Sequence, residues 1–199
     1  MNTTIQVKTS GGIYLVPIEA RFLTERKIFL EGEINAETAN RFLKELLFLT
    51  ACAEDREEPV DVFINSPGGE TGAGMLIYDC IQGSPAPLRL FCAGRACSMA
   101  AVLLASGPRG SRFLLPHSEV MIHEPRLEGN VGGSASSLRS ISDNLAGTKR
   151  QMEELLVCHT GRTLEEIQAA TAFDHYMPPE EAITFGLADQ VVSFERMVR

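Results

Sequence analysis

The hydrophobic and polar positions of this chain follow two alternating patterns. Short apolar runs rich in β-branched and aromatic residues are typical of buried strands, whereas apolar residues spaced three and four apart are typical of one-sided helices. The strand pattern occurs in KIFLEG, VDVFIN and LRLFCAG, and the helix pattern over 35–52, 72–82 and 98–106. This alternation predicts an α/β fold with largely parallel strands covered by helices. Two more apolar runs, RFLLP and EVMIH, predict a hairpin around Pro116, His117 and Ser118.

The last third of the chain is predicted to be mainly helical. Residues 126–137 are rich in glycine and serine and lack core periodicity, which is typical of a flexible segment. A long helix with one apolar side is predicted over 138–158, with Gly161 as its C-terminal stop. Thr163 and Glu166 match a capping box at the start of another helix, and PPEEAITFG predicts a short helix opened by proline.

The composition predicts one compact globular domain and excludes several classes of protein. The chain has 199 residues, 44% of them hydrophobic and 22% charged, which is enough for one sizeable core. Its formal net charge of -8 and its scattered basic residues argue against nucleic acid as the main partner. The longest apolar stretch, 99–105, is too short to span a bilayer, and the first residues do not resemble a signal peptide. No membrane partner is therefore expected, and a cytoplasmic location is predicted.

The cysteines indicate neither a disulfide framework nor a metal site. The five are Cys52, Cys80, Cys92, Cys97 and Cys158. Their number is odd, no CxxC pair occurs and no histidine stands at zinc-finger spacing. Reduced, mostly buried thiols are expected, and Cys97 is notable only because it adjoins Ser98.

Two predicted strand-to-helix turns carry the first candidates for chemistry. In FINSPGGETGAG, Gly68 and Gly69 let backbone N–H groups approach a ligand closely, although no phosphate-binding motif is present. In GRACSMA, Ser98 stands at a similar turn, where serine is either a simple helix cap or an exposed nucleophile. Parallel strands bring their carboxyl ends to one edge, so the two turns are expected to converge. The N–H groups of Gly69 and Met99 then form a candidate pair of oxyanion donors.

A serine nucleophile needs a general base and a carboxylate that orients it. The chain has four histidines, and only His123 ends a predicted strand, where its imidazole can reach Ser98. His117, His159 and His175 are the others, of which the first two are interpreted as structural. Many acids are present, and the residues themselves do not distinguish Asp174, in the irregular FDHYM segment, from Asp143 or Asp189.

Over residues 5–192 the chain resembles the family of Clp protease proteolytic subunits. The shared motifs are FINSPGG with GMLIYD, a GxxxSM turn, LP with MIHEP, HTG, and EEAITFGLAD, in the family's order. The serine and histidine stand 25 positions apart, from 98 to 123, as in relatives. The resemblance implies Ser98, His123 and Asp174 as a catalytic triad, without a metal or cofactor.

The resemblance also implies the oxyanion pair, the peptide contacts and the architecture. Gly69 and Met99 would donate to the oxyanion, and Gly68, Glu70 and Pro125 would contact substrate. The fold would be a spiral of strand-helix units of the type shared with crotonases, in a single domain over 1–199. Residues of about 1–124 and 161–199 would form its head. The handle, of about 125–160, would contain the long helix and a glycine-rich strand beside the bound peptide.

In the resembling family, heptameric rings of heads stack in pairs through their handles into a tetradecamer that encloses the active sites. An AAA+ unfoldase docks on the ring and supplies unfolded chains. The same homo-oligomer and partner are therefore expected here, with unfolded protein or peptide as substrate.

The chain departs from the family's pattern at several positions. Ala172 and Phe173 replace an acid and an arginine that bridge the two rings, and Asp61 stands where an aromatic residue usually lines the docking pocket of the unfoldase. Cys97, Ala100 and Glu124 also replace the usual residues, and the glycine-rich segment is longer than usual. None of these changes removes a catalytic group.

Three functions are thus compared. The first is a self-compartmentalising serine endopeptidase, and the second is a non-catalytic or regulatory ring subunit, which the altered ring contacts leave open. The third is a crotonase-like acyl-CoA enzyme, which would use paired backbone donors but needs no Ser-His pair. A crotonase usually carries a further C-terminal helical region, which this chain does not show.

Overall fold

The structure is a computed structural model and describes residues 3–51, 58–127, 129 and 132–197. Within them the chain forms nine strands and eight helices. The strands are β1 Thr4–Thr9, β2 Gly12–Pro17, β3 Lys27–Glu31, β4 Val60–Ser66, β5 Leu88–Cys97, β6 Arg112–Leu114, β7 Glu119–Ile122, β8 His175–Met177 and β9 Gln190–Val191. The helices are α1 Ile18–Thr24, α2 Ala36–Ala51, α3 Thr71–Gln82, α4 Met99–Ala105, α5 Ala135–Thr160, α6 Leu164–Thr171, α7 Pro179–Phe185 and α8 Phe194–Met197.

A seven-stranded sheet organises the molecule, in agreement with the predicted α/β class. Its main order is β3-β4-β5-β6-β9, and all of these neighbours run parallel. The predicted units over 27–105 are all present, with boundaries shifted by at most three residues, the largest shift being at the end of β5. All seven residues of α4 are buried, so this helix runs through the core and holds the end of β5 in place. The prediction of parallel strands covered by helices is confirmed.

The hairpin predicted from RFLLP and EVMIH is wrong. β6 pairs with the first part of β5 through Leu90 and Arg112, and β7 pairs with the last part of β5 through Cys97 and Met121. Both pairings are parallel, so the turn between β6 and β7 carries the chain forward along β5 instead of reversing it. The antiparallel partner of β7 is β8. β6 and β7 thus both pair with the long central strand β5 and not with each other.

Several elements were not anticipated from the pattern. β1 and β2 form a separate two-stranded antiparallel hairpin. Its last paired residues are Thr9 and Gly12, and the turn lies between them. Ile13, Tyr14 and Leu15 of β2 are exposed, which hides the alternation on which strand prediction depends. A glycine pair between two β-rich runs is nevertheless a hairpin signal in the sequence.

The long helix α5 begins three residues earlier than predicted and ends as predicted at Gly161, which has a left-handed conformation. With 26 residues it is about 39 Å long. Its buried side chains lie in the C-terminal part, at Met152, Glu153, Leu156 and Thr160. Leu138, on the predicted apolar side, is 42% exposed. The described residues of 123–134 contain no strand, so the expected handle strand is not found among them.

A largely buried ion pair joins Arg112, the first residue of β6, to Asp189, which directly precedes β9. The Arg112 guanidinium is 2% exposed and donates to both carboxylate oxygens of Asp189, at 2.9 and 2.6 Å. It also donates to the carbonyls of Ala105 and Gly186, at 3.0 Å each. Burial alone would raise the pKa of Asp189, but the hydrogen bonds and charge of Arg112 outweigh burial and hold that pKa below its usual value.

Asp61 forms an ion pair with Arg89. In the resembling family this position usually has an aromatic residue. Asp61 lies on β4, is 6% exposed, and accepts two hydrogen bonds from Arg89 of β5, at 2.5 and 2.8 Å.

The predicted capping box is also present, with Thr163 and Glu166 bonded reciprocally. None of the helices in the described residues is long and apolar enough to cross a membrane.

Candidate active site

Ser98 lies at the turn between β5 and the buried helix α4, in a backbone conformation that suits few residues. Its φ is 54° and its ψ is -124°, and among the described residues only Arg26 is another non-glycine with positive φ. Such strain is concentrated at functional sites, because the surrounding structure must hold it. Here the Ser98 N–H donates to the carbonyl of Met121, at 2.8 Å. The side chain makes no capping bond, so the interpretation of Ser98 as a simple helix cap is not supported.

The glycine turn lies directly against Ser98, as the parallel strands predict. Gly68 has a φ of 93°, and a Cβ atom there would approach the Ser98 Cβ to 2.7 Å and the Cys97 carbonyl oxygen to 2.6 Å. Gly69 has a φ of 148°, and a Cβ atom would clash with the backbone of Ile34. Only glycine therefore fits either position. Gly68 is buried and supports the turn, whereas Glu70 and Pro125 line the groove in front of it.

Two backbone N–H groups at these turns are available to a ligand. The residues on either side of Gly69 bond to Ile34, with which Gly69 forms an isolated parallel bridge, so the N–H of Gly69 itself points away from Ile34. Met99 is the first residue of α4, where an N–H has no partner within the helix. Neither N–H has a protein acceptor among the residues that the structure describes. Paired donors of this kind are what a tetrahedral oxyanion requires.

His123 follows β7 and reaches Ser98 as predicted. Its Nε2 lies 2.9 Å from the Ser98 Oγ, and its side chain is 10% exposed. β7 lies beside the end of β5 that carries Ser98, which explains why residues 25 positions apart meet. With a proton on Nδ1, Nε2 accepts from the serine hydroxyl, which is the arrangement of a base poised to remove that proton.

Asp174 is the carboxylate that meets the histidine. Its Oδ1 lies 2.9 Å from the His123 Nδ1. Ile122 and His175 are partners in the antiparallel pairing of β7 with β8, so His123 and Asp174 leave that pairing side by side. Asp143 and Asp189, which the residues alone left open as partners of the histidine, lie elsewhere. Asp189 pairs with Arg112, and Asp143 is exposed on α5. The structure thus brings together the three residues that the resemblance implied.

The other histidines have contacts outside this cluster. The His159 Nε2 lies 3.0 Å from the Tyr78 hydroxyl, and His175 pairs with Glu181. Burial and the nearby charges of Arg112 and Arg109 lower the pKa of His159. His117 lies in the turn before β7. The side chain of His159 is therefore occupied by Tyr78, at a distance from Ser98 in the sequence and outside the cluster of Ser98, His123 and Asp174.

The thiol beside the serine does not compete as a nucleophile. Cys97 is 5% exposed, and burial raises the pKa of its thiol. The thiolate is the reactive form of cysteine, so a raised pKa keeps Cys97 unreactive. Cys80, Cys92 and Cys158 are also free thiols, whereas Cys52 lies outside the described residues.

An apolar pocket opens beside Ser98 and was not predicted. It is bounded by Ser98, His123 and Thr71 and otherwise by apolar side chains, namely Met99, Val102, Ile122, Pro125, Met152 and Leu156. Met152 and Leu156 come from α5, so the long helix forms one wall. An ion pair between Lys149 of α5 and Glu124 fastens this wall beside His123, and the hydrogen bond with Glu124 raises the pKa of Lys149. Sequence spacing gives no signal for a wall that comes from a distant helix.

A second concavity, which we call the groove, shares Ser98, His123, Thr71 and Pro125 with the apolar pocket. Its other lining residues are Glu33, Pro67, Gly69, Glu70, Met121, Arg126 and Leu127. The Arg126 Nη1 also lies 3.7 Å from the Asp174 Oδ1. The described residues hold no group of three or more His, Cys, Asp or Glu side chains that could bind a metal ion. The chemistry available is that of a hydroxyl, an imidazole, a carboxylate and two N–H donors.

One comparison with known proteins bears on this arrangement. The protein-family model described as Clp protease matches residues 10–195 of the chain. The match covers both turns, all three side chains of the hydrogen-bonded chain, and the long helix.

Proposed function

Since the chain belongs to the Clp protease family, we propose that it is a serine endopeptidase that cleaves unfolded polypeptides or short peptides. One observation carries the proposal. The Ser98 hydroxyl, the His123 imidazole and the Asp174 carboxylate are joined by two hydrogen bonds of 2.9 Å each, next to two N–H groups without a protein acceptor. This is the arrangement that acyl transfer through a serine ester requires.

Formation of the acyl-enzyme begins with attack of the Ser98 Oγ on the peptide carbonyl carbon. His123 Nε2 takes the hydroxyl proton, and Asp174 stabilises the imidazolium that results. The carbonyl oxygen becomes an oxyanion and accepts hydrogen bonds from the N–H groups of Gly69 and Met99. The C–N bond then breaks, His123 returns the proton to the leaving amine, and an ester links the substrate to Ser98.

Hydrolysis of the ester repeats these steps with water. His123 removes a proton from the water, whose oxygen attacks the ester carbonyl. The tetrahedral intermediate uses the same two donors, and its collapse releases a free carboxylic acid. His123 then returns its proton to the Ser98 Oγ, so no cofactor or metal is consumed.

The apolar pocket beside Ser98 is expected to select the substrate. Its walls offer Met, Val, Ile, Pro and Leu side chains and no charge apart from the catalytic histidine when protonated. Cleavage next to Leu, Met or Phe is therefore expected to exceed cleavage next to Asp or Glu by about 10- to 200-fold in kcat/KM. Mass spectrometry of products from a mixed peptide library measures this ratio. Equal cleavage next to acidic and apolar residues would contradict the assignment of the pocket.

We extend the proposal to assembly. A head of about 1–124 and 161–199 would carry the site, and a handle of about 125–160 would join two heptameric rings. The support is the N-terminal part of α5, whose predicted apolar side includes an exposed Leu138. An AAA+ unfoldase is the proposed partner, although the paired Asp61 makes one part of the usual dock polar. Phe173, 85% exposed, would replace charged contacts between rings with an apolar one.

The test pairs two measurements on the purified protein: hydrolysis of a fluorogenic peptide with an apolar residue at the cleavage site, and the mass of the assembly by native mass spectrometry. Hydrolysis together with a ring-sized mass is expected. A ring-sized assembly without hydrolysis would favour the regulatory subunit instead. The intact hydrogen-bonded chain from Ser98 to Asp174 supports the active enzyme.

A substitution that keeps every catalytic side chain should nevertheless impair the enzyme. In Gly68→Ala, the added Cβ meets the Ser98 Cβ at 2.7 Å and the backbone has a φ of 93°, so the serine turn must shift. A displacement of about 1 Å is expected to lower kcat by at least about tenfold. Gly72→Ala is the matched control, because a Cβ there meets nothing within 4 Å. Unchanged kcat in Gly68→Ala, measured with the same peptide, would contradict the role of this contact.

A further inference from the structure

Asp174 is weakly held for a carboxylate that must orient a catalytic histidine. Its side chain is 41% exposed. Among the described residues its carboxylate accepts one hydrogen bond, from the imidazole that it is meant to orient. Water competes for a carboxylate in this position, and rotation about its side-chain bonds would break its contact with His123. A second contact to this carboxylate would increase the fraction of molecules in which Asp174 faces His123.

Arg126 supplies a second contact. Its Nη1 lies 3.7 Å from the same oxygen, Oδ1, that faces the His123 Nδ1. The backbone brings the two residues together, because the N–H of Glu124 donates to the Thr171 carbonyl at 2.8 Å, just after the pairing of β7 with β8 ends. The segment after His123 thus runs beside the segment that leads to Asp174. The backbone therefore places Arg126 within side-chain reach of Asp174.

The charge of Arg126 is directed to Asp174 and not to the acids of the groove. Glu33 and Glu70 line the same groove, but neither forms an ion pair with Arg126 in the described part of the chain. Lys149 and Glu124, also near His123, pair with each other. Asp174 is the one carboxylate in the described residues within ion-pair distance of Arg126.

We propose that Arg126 is a positioning residue of the catalytic triad, which holds the Asp174 carboxylate against His123. The inference rests on the proposed serine-peptidase function. Arg126 takes no part in proton transfer. It increases the fraction of molecules in which Asp174 holds the imidazole with Nε2 toward Ser98. Because that orientation is needed in the transition state and not for peptide binding, Arg126 acts on kcat and not on KM.

Arg126→Ala tests the proposal, since a side chain that is 61% exposed can be removed without disturbing the core. Exposed ion pairs contribute little, so kcat is expected to fall by about three- to fivefold with unchanged KM. Arg126→Lys should recover at least about half of the kcat, because the ammonium restores the charge. Arg126→Glu should lose more than Arg126→Ala, because two adjacent carboxylates repel.

A double-mutant cycle shows whether the effect passes through Asp174. In an Asp174→Ala background, Arg126→Ala is expected to cause no further loss. Turnover will be slow there, so the rate of Ser98 labelling by a fluorophosphonate is the second readout. Arg21→Ala is the matched control, since Arg21 forms a similarly exposed ion pair, with Glu25, away from the site.

Several results would overturn the proposal. A rise in KM with unchanged kcat would make Arg126 a substrate contact, and equal losses with and without Asp174 would make it independent of the triad. Failure of the underlying function looks different, because the wild-type protein would then hydrolyse no peptide and show no labelling of Ser98. Active wild-type protein with an unaffected Arg126→Ala variant contradicts the role of Arg126 alone.

Discussion

Replacement of Ser98 by alanine is expected to lower peptide hydrolysis by at least about 10⁴-fold, because the attacking oxygen is lost. His123→Ala should cause a loss of similar size, since an undissociated hydroxyl is a weak nucleophile. The two losses should not add, because the residues act as one unit. The measurement is kcat for a fluorogenic peptide, together with labelling by a fluorophosphonate probe.

Ser193→Ala is the matched control for this experiment. Ser193 is exposed and lies after β9, outside both concavities at the site. The control should retain full activity and full labelling. If the probe labelled Ser98→Ala as strongly as wild type, Ser98 would not be the nucleophile. The free thiol of Cys97 is not expected to replace it, because burial raises the pKa of that thiol.

The largest effect on stability is expected at the buried ion pair of Arg112 and Asp189. Asp189→Ala leaves a guanidinium that is 2% exposed without its carboxylate, which should lower the free energy of unfolding by about 3–5 kcal/mol. The change is measured by urea titration followed by far-ultraviolet circular dichroism. Arg112→Met together with Asp189→Ala should recover part of the loss, because the uncompensated charge is gone.

The exposed pair of Arg21 and Glu25 provides a control for the buried one. Its side chains are 52% and 38% exposed, so Arg21→Ala should change the free energy of unfolding by less than about 1 kcal/mol. A loss as small as this in Asp189→Ala would mean that the buried arginine finds another partner. Such a result would contradict a large contribution of the Arg112–Asp189 pair to the stability of the fold.

The buried pair also predicts a pH dependence. The pKa of Asp189 is lower in the folded protein than its usual value, so its contribution to stability is complete above the unfolded pKa, about 3.9. The contribution is lost as the pH falls through the folded pKa. The difference in unfolding free energy between wild type and Asp189→Ala should therefore narrow as the pH falls below about 4. A constant difference down to pH 3 would contradict this linkage.

The sequence predicts much of the fold because many of its signals are local. The strand and helix patterns over 27–105 depend on neighbouring residues, as do the capping box at Thr163 and the stop at Gly161. The predicted hairpin failed because an apolar run shows that a strand exists but not which strand it pairs with. β5 is ten residues long, and this length lets both β6 and β7 pair with it in the parallel direction.

In the candidate site, too, the features that depend on local sequence could be predicted, and those that depend on long-range pairing could not. The turns at Gly69 and Ser98 could be predicted to converge, because parallel strands end at one edge. Asp174 could not be chosen over Asp189 from the residues, since the choice depends on the pairing of β7 with β8, across 51 positions of sequence. Family resemblance supplied what local physics did not. The roles of these side chains remain proposals for the experiments above.

The pocket wall and Arg126 were missed for related reasons. Met152 and Leu156 look like ordinary apolar positions of a helix, and nothing in their spacing shows that they face Ser98. Arg126 belongs to a segment with no regular pattern, and its contact with Asp174 depends on the folded backbone. The contact between this arginine and the Asp174 carboxylate becomes visible only in three dimensions.

The way β5 is shared between β6 and β7 has a consequence for how such a chain can evolve. Ser98 directly follows β5 and His123 directly follows β7, so one backbone ladder sets the distance between these two side chains. The pocket wall from α5 lies outside that ladder. Under the proposed function, substitutions at Met152 or Leu156 can therefore alter which peptides fit while Ser98 and His123 keep their distance. Under the proposed function, the α5 side of the pocket is thus the part that can change its substrate preference without a change in the ladder of β5 and β7.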